Sequence, residues 1–586
     1  MRAPERGRMA FRPRRNWLMG GLILSVYVAV FLVLPRGVFY SPDAGGKYFQ
    51  MIGYHWDHGL RCEIIYPGGP KDPDFHFHGH HAEQAACTSI YPYRNKAGTT
   101  TTGWPPWFPL AAKPFHRLYG LSGMYVVSLA SGLVLVALSG FLAERLRAGA
   151  GMPVAAVVGL ASPVLFYSMC FWEHTLAVSL AFAAWFPLVG GSQPVECRSR
   201  SLGRWALAGI LMLAACAMRR ELVFYLGAAS LVWGGLHSAR RRYLPAVAAI
   251  LLAVGVVGGL LLMLCPLSLR WLFPEHALSD LRWMLRIFSS DLWISAFPNL
   301  VRQVLLSRSD VVLPSYAKLA GWLGLACALA GAFAPRKWRC GTVLAGALMI
   351  AVPATWLVFT GVRYRALNSV ILPAPVVMLA FLPGEGPRPL VRRWLGWTSV
   401  VFVGLFCLVL PAAGPSNGGL EWGSRYCLVA IVGGCLLGVV AALEAWADPR
   451  ASRRLRWAIG ALAAWLVLLG AASAARGVGE LRQTRRDLLA IQSVLETAGD
   501  PVVTDIWWLG ASLAPFAARH EIYTVSCAHP LAEWLVRIGP RRPRFSYVGP
   551  MPPDELFAGD GTRWRRQTIA AAGGVTIAGY RRESPP

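Results

Sequence analysis

Apolar runs of about 17 to 25 residues recur along most of this chain, each long enough to cross a hydrocarbon layer of roughly 30 Å as a helix. Inside lipid every backbone N–H and C=O must be satisfied within the protein, which leaves helices or closed barrels as spanning structures. A barrel would show short alternating strands, and these runs do not alternate. The fold class expected is therefore an all-α polytopic membrane protein. With 55% hydrophobic and only 15% charged residues over 586 positions, the apolar content exceeds what a soluble core needs. The formal net charge of +27 would point to nucleic acid in a soluble protein, but most arginines lie in short loops between apolar runs. Nucleic acid is not an expected partner.

The N-terminal "RGRMAFRPRRNW" leads into an apolar span without a small-residue cleavage site, the pattern of a retained anchor with a cytoplasmic N-terminus. Further spans fall near 121–143, 151–170, 173–190, 204–218, 222–236, 244–268, 316–334, 341–360, 369–382, 394–412, 426–446 and 456–474. With the first, near 16–35, this makes about thirteen crossings. The loops assigned to the cytoplasm, "AERLRAGAG", "ECRSRSLGR", "HSARRRY", "APRKWRC", "GPRPLVRR" and "DPRASRRLR", each carry two or more arginines, so the parity is self-consistent. The "AMRRELVF" stretch is readable as two short helices or as a re-entrant hairpin.

The expected organisation is a transmembrane domain over 1–474, with large outer loops at 36–118 and 269–315, and an extracytoplasmic domain over 475–586. Within that tail, a helix, the strand "PVVTD", another helix and the strand "EIYTV" suggest a small α/β unit, with a proline- and arginine-rich end. The preference for Arg over Lys, with many Ala and Gly, suggests a GC-rich bacterial genome and hence a bacterial inner membrane. Cys62 and Cys87 fall in the first outer loop, an oxidising place in such an envelope, and are candidates for a disulfide.

Three outer-boundary stretches could carry chemistry. In "YSPDAGGKYFQ", Asp43 follows the first span, with Lys47 behind it; a plain helix cap built by Ser41 and Asp43 is the structural alternative. In "YSMCFWEHTLAV", Glu173 and His174 interrupt apolar sequence, and a Trp-Glu-His triplet is poor turn chemistry. In "CAMRRELVF", Arg219 and Glu221 lie between short apolar segments, where arginine can hold a phosphate or simply snorkel. Arg363 and Arg365 in "TGVRYRALN", and Arg425 in "EWGSRYC", add basic residues that topology does not favour on that face, as if something anionic comes there. His76, His78, His80 and His81 in "FHFHGHH" form a candidate metal site, set against a solvated polar loop.

The order and sidedness of these stretches, "FYSPDAGGKYFQ", "GWPPWFPLAAKPFHRLYG", "FWEHTLA", "AMRRELVF" and a soluble outer tail, resemble the GT-C superfamily of polytopic glycosyltransferases. Its members include the dolichyl-phosphate-mannose protein mannosyltransferases and the bacterial aminoarabinose transferase of lipid A. The resemblance implies transfer of a sugar from a polyprenyl-phosphate carrier, with inversion, to a glycan, lipid or protein acceptor on the extracytoplasmic face of the membrane. It implies Asp43 as the catalytic acid of the first loop, acting as base or acceptor-orienting group, and Glu173 as the acid of the second outer loop. Lys47, Arg219, Arg363, Arg365 and Arg425 become candidates for neutralising the leaving phosphate. Where many members carry two adjacent acids, Asp43 is followed by Ala44. A divalent ion, Mg or Mn, would then draw on Asp43, Glu173 and His174.

Two other classes share some of these features. A carrier or flippase for a lipid-linked saccharide should hold polar groups deep in mid-span, and the spans are nearly free of them. An envelope scaffold would use Asp43 and Glu173 only as caps. A reporter fused at residue 500 is expected to read extracytoplasmic, and one in "HSARRRY" cytoplasmic; a cytoplasmic signal at 500 would overturn the proposed sidedness.

Overall fold

The computed structural model describes residues 13–54, 65–78, 93–94, 100–101, 105–189, 198–219, 221–238, 313–360, 367, 369–383, 389–409, 422–526, 529–550, 552–558 and 561–583. Among them, five helices are long and apolar enough to cross a membrane, and shorter apolar helices lie at Trp17–Val33, Gly151–Leu160, His174–Leu188, Gly203–Met218 and Leu222–Trp233. The helix Leu428–Ala447 is the hub. Its sequence "LVAIVGGCLLGVVAALEAWA" is apolar all round, which in a bundle means burial on every side. Accordingly, 89% of its apolar window is buried, under Gly151–Leu160, Pro389–Val409 and Arg453–Ala498. The outer helices instead show Leu22, Leu32, Phe141, Ile210, Leu323 and Leu468 on their surfaces, an apolar exterior suited to lipid.

Two expected crossings take a different form. The run 151–170 is two helices, Gly151–Leu160 and Val164–Ser168, because Pro163 cannot donate into a continuous ladder. The run 369–382 contains only a 3-10 turn, Pro375–Phe381. Pro373 and Pro375 remove donors and steer the residues before them out of the helical region. Ser369 Oγ accepts from the amides of Ile371 and Leu372 instead, at 3.2 and 3.1 Å. The "AMRRELVF" region resolves as two helices, Arg198–Met218 and Leu222–Ser238. The span expected near 244–268 and most of the loop 269–315 lie outside the described residues.

The helix Arg453–Ala498 runs for 46 residues without a break, so the last apolar span and the first helix of the tail are one rod of about 70 Å. It delivers the chain into a six-stranded sheet, separate from the short two-stranded ladder of β1 (Tyr93–Arg94) and β2 (Thr100–Thr101) earlier in the chain. Here β3 is Val502–Thr504, β4 Ile522–Thr524, β5 Arg544–Gly549, β6 Glu555–Phe557, β7 Arg563–Ala572 and β8 Val575–Arg582, in the sheet order β4-β3-β5-β8-β7-β6. The strands expected at "PVVTD" and "EIYTV" are β3 and β4, paired parallel. The arginine-rich end, read only as composition, is three antiparallel partners. Gly573 and Gly574, at φ 56° and 80°, make the two-residue turn of the β7–β8 hairpin.

The sheet domain seats directly on the helix Pro42–Gly53. Phe39 N donates to Ser512 O at 2.8 Å, and a Cβ on Gly45 would lie 1.7 Å from the Ala511 carbonyl oxygen. Only glycine permits that approach. Gly45→Ala is expected to lower stability by about 1–3 kcal/mol through overpacking. Gly479→Ala, on an exposed stretch of the long helix with open space around it, should be neutral or slightly stabilising. Thermal melts of the two purified variants in detergent check the contrast.

Candidate active site

Ser41 caps the helix Pro42–Gly53, its hydroxyl accepting from Asp43 N at 3.3 Å, with Pro42 in the first turn where no N–H is needed. The cap frees the Asp43 carboxylate to face away from its own backbone. Its Oδ2 accepts from Arg425 Nη1. Arg425 opens the turn that leads into the hub helix, so the ion pair joins elements 382 residues apart in sequence. One helical turn beyond Asp43, Lys47 is 1% exposed and places Nζ 2.9 Å from Glu173 Oε2.

Glu173 is the centre of the cluster. It immediately precedes the helix His174–Val189, and its carbonyl accepts from Ala177 N at 2.9 Å, so a carboxylate sits at a helix N-terminus. Oε1 accepts from Arg219 Nη1 at 2.6 Å, and Arg219 Nε donates to Glu221 Oε1 at 2.6 Å. Ser128 Oγ donates to Trp172 O at 2.9 Å and Thr175 Oγ1 to Ser128 O at 3.1 Å, which fixes the turn on both sides of Glu173. Three cations, Lys47, Arg219 and Arg425, thus face three carboxylates, Asp43, Glu173 and Glu221. Burial pushes the Lys47 ammonium down, and Glu173 and then Asp43 push it back up, leaving it below its ordinary value.

His174 is 2% exposed, stacks on Tyr167 with 5.4 Å between ring centres, and lies among the charges of Arg219, Glu173, Arg425 and Lys47. Neither ring nitrogen has a hydrogen-bond partner among the described residues. A buried imidazole left this way has one donor and one acceptor to offer a further partner.

Seven of the residues singled out in the sequence therefore meet: Asp43, Lys47, Glu173, His174, Arg219, Glu221 and Arg425. Arg363, Arg365, Cys62, Cys87, His80 and His81 lie outside the described residues. His76 and His78 do not join this cluster; His78 packs edge-on against Tyr66, and His76 turns toward His529. The carboxylates of the expected Mg or Mn set Asp43, Glu173 and His174 are paired with Arg425, Lys47 and Arg219, cations that an ion would have to displace.

Other supporting groups went unread in the sequence. Tyr426 OH accepts from Arg425 Nη2 at 3.0 Å, and its ring lies under both Arg425 and Arg219. Arg485, 2% exposed on the long helix, donates to Met169 O at 2.8 Å and Pro35 O at 3.3 Å, tying together the two loops that carry Glu173 and Asp43. Lys113, also buried, donates to Tyr54 O at the end of the Asp43 helix. Tyr426 was findable as the neighbour of a misplaced arginine; Arg485 sits in the run "LRQTRRDLL", where nothing distinguishes it from solvated neighbours.

No protein-family model matches the chain, and no curated protein matches it. Solved structures similar to it include ArnT from Cupriavidus metallidurans bound to undecaprenyl phosphate, with a TM-score of 0.45 at 13% identity, covering 96% of this chain and 98% of that one. The archaeal oligosaccharyltransferase AglB from Archaeoglobus fulgidus, in complex with an inhibitory peptide and a dolichol-phosphate, has a TM-score of 0.41 at 10% identity, covering 91% and 70%.

Removing the central carboxylate leaves Lys47 without its 2.9 Å partner and Arg219 with Glu221 alone. Glu173→Gln is expected to cost about 3–5 kcal/mol, the range for breaking one side of a buried ion pair. The double variant Lys47→Met with Glu173→Gln should lose less than the two single losses summed, because the pair acts as a unit. Denaturation of the purified variants in detergent measures both.

Proposed function

We propose that this chain is a GT-C type membrane glycosyltransferase that moves a sugar from a polyprenyl-phosphate carrier to a glycan, lipid or protein acceptor, at the extracytoplasmic face of a bacterial inner membrane and with inversion. The observation that carries the reading is the unequal burial of the two acids within one ionic cluster: the Asp43 side chain is 14% exposed and that of Glu173 is 2%. The more accessible acid is suited to meet a substrate and the sealed one to hold cations in place.

On this reading Asp43 and Glu173 divide the work. Asp43 takes the proton from the acceptor as the anomeric carbon gains oxocarbenium character. Glu173 fixes Lys47 and Arg219, and these with Arg425 stabilise charge on the leaving phosphate. Arg425 is bound to Asp43 in the resting protein. A lipid phosphate competing for that guanidinium by bidentate hydrogen bonds would release Asp43 as a base, so the donor arms the acid. His174, buried among Arg219, Glu173, Arg425 and Lys47, would orient a sugar hydroxyl.

The test is transfer from a radiolabelled polyprenyl-phosphate sugar in membranes containing the wild type, Asp43→Asn or Glu173→Gln at matched protein levels. Asp43→Asn should retain the protein but lose transfer or donor consumption by about 100-fold or more, the scale of a missing general base. Wild-type turnover matched by Asp43→Asn would remove the carboxylate from the chemistry and overturn the proposed site.

A further inference from the structure

Away from the Asp43 cluster, three metal-ligating side chains converge where the first loop docks on the sheet domain. His76 comes from the loop, His529 from the turn before the helix Leu531–Arg537, and Glu533 from its first turn. His76 Nδ1 lies 3.4 Å from His529 Nδ1, His529 Nδ1 lies 2.9 Å from Glu533 Oε2, and His76 Nδ1 lies 3.8 Å from Glu533 Oε1. Zinc bonds of about 2.0–2.1 Å to nitrogen and oxygen set neighbouring ligand atoms of a tetrahedron about 3.3–3.4 Å apart. The His76–His529 separation matches that edge, the two distances to Glu533 run to different carboxylate oxygens, and one ligand atom from each of the three residues lies within 4.8 Å of the others.

We propose that His76, His529 and Glu533 bind a divalent transition-metal ion, zinc by the chemistry of the donors, which fastens the first loop to the sheet domain. Two imidazoles and one carboxylate suit zinc, whereas magnesium and calcium prefer oxygen throughout. Solvent takes the fourth vertex. The site is independent of the transferase reading.

The loop presents His76 on a backbone that is already set. The buried Asp72 carboxylate accepts from His76 N at 2.9 Å, Phe77 N at 2.8 Å and Tyr66 OH at 2.8 Å. Phe75 holds φ 58°, a strained value for an aromatic residue, and so turns the chain at this point. Phe77 is then fully buried in the sheet-domain core, and its carbonyl accepts from Thr524 N at 2.7 Å, extending the edge strand β4. Asp74 Oδ2 lies 3.9 Å from His76 Nε2, beyond hydrogen-bond reach, and adds only negative charge near the loop histidine.

One group opposes the ion. Arg537 places Nε 3.0 Å from Glu533 Oε1 and Nη1 3.4 Å from His76 Nδ1, so in the metal-free protein it supplies the positive charge the ion would bring. Its side chain is 49% exposed and free to turn into solvent. Metal binding is therefore an exchange of one cation for another, and its affinity is set by that competition.

Zinc titration of the full-length protein in detergent, after dialysis against a chelator and with zinc chloride as the probe, tests this by calorimetry. The chain holds other histidines and cysteines, so the comparison is among the wild type, His529→Ala, Glu533→Gln and Arg537→Met. The wild type should show one site that the first two variants weaken by about tenfold or more and that Arg537→Met tightens. Zinc should raise the melting temperature of the wild type and of Arg537→Met but not that of His529→Ala. Equal zinc affinity across the four proteins would overturn the proposal, as would weaker binding by Arg537→Met, whose substitution removes only a half-exposed competitor and remains readable if His529→Ala fails to fold.

Discussion

The arrangement on the sheet-domain side of the bundle depends on one sealed carboxylate, Glu173, shared between Lys47 and Arg219. Taking these charges out of water is costly, and mutual attraction repays the cost only when the geometry satisfies every partner. Packing alone would be met as well by apolar residues. The cluster is therefore weak evidence for stability and stronger evidence for a demand on position: it sets three chain segments, far apart in sequence, into one register. Lys47 belongs to the helix after the first span, Glu173 to a turn in the middle of the helical part, and Arg219 to the junction of two later helices.

A second layer holds that register from outside. Arg485 reaches from the long helix to carbonyls in both acid-bearing loops, and the sheet domain closes against the glycine face of the Asp43 helix. The rod Arg453–Ala498 links these two supports, because it packs in the bundle at one end and enters the sheet at the other. Rigid attachment of this kind keeps a few side chains within hydrogen-bonding tolerance of one another on a surface otherwise built of adaptable apolar contacts.

Much of this was legible in the residues. The apolar runs gave the helices, and charged residues that interrupt or flank them gave the cluster, because a carboxylate such as Glu173 has no apolar reason to sit between "FYSMCFW" and "TLAVSL". Strands β3 and β4 were legible from β-branched runs. Hydropathy could not separate a crossing from the proline-broken segment 369–382, since it measures apolarity and not the missing donors. Nor could it show that the last span continues into the tail, because helix periodicity carries across the change from apolar to polar surface in Arg453–Ala498 without any breaker. The pairing of Asp43 with Arg425 and of Glu173 with Lys47 is tertiary information with no local signature. The convergence of His76 with His529 and Glu533 is of the same kind, since the histidine pattern "FHFHGHH" suggests neighbours within the loop and the partners come from the far end of the chain.

The seating of Asp43 on late elements has a consequence for biogenesis. Its guanidinium partner is 382 residues further along, and the carbonyls that back its helix belong to the sheet domain, later still. At ordinary synthesis rates of about 5–20 residues per second, the acid waits on the order of tens of seconds in a half-made protein before its partner exists. Within that interval Glu173, Arg219 and Glu221 are already made and available to Lys47, while the Asp43 carboxylate still lacks its guanidinium. The cluster is thus timed: its Asp43–Arg425 pair cannot form until Arg425 is made, and the segment of the sheet domain that packs on the Asp43 helix is made later still.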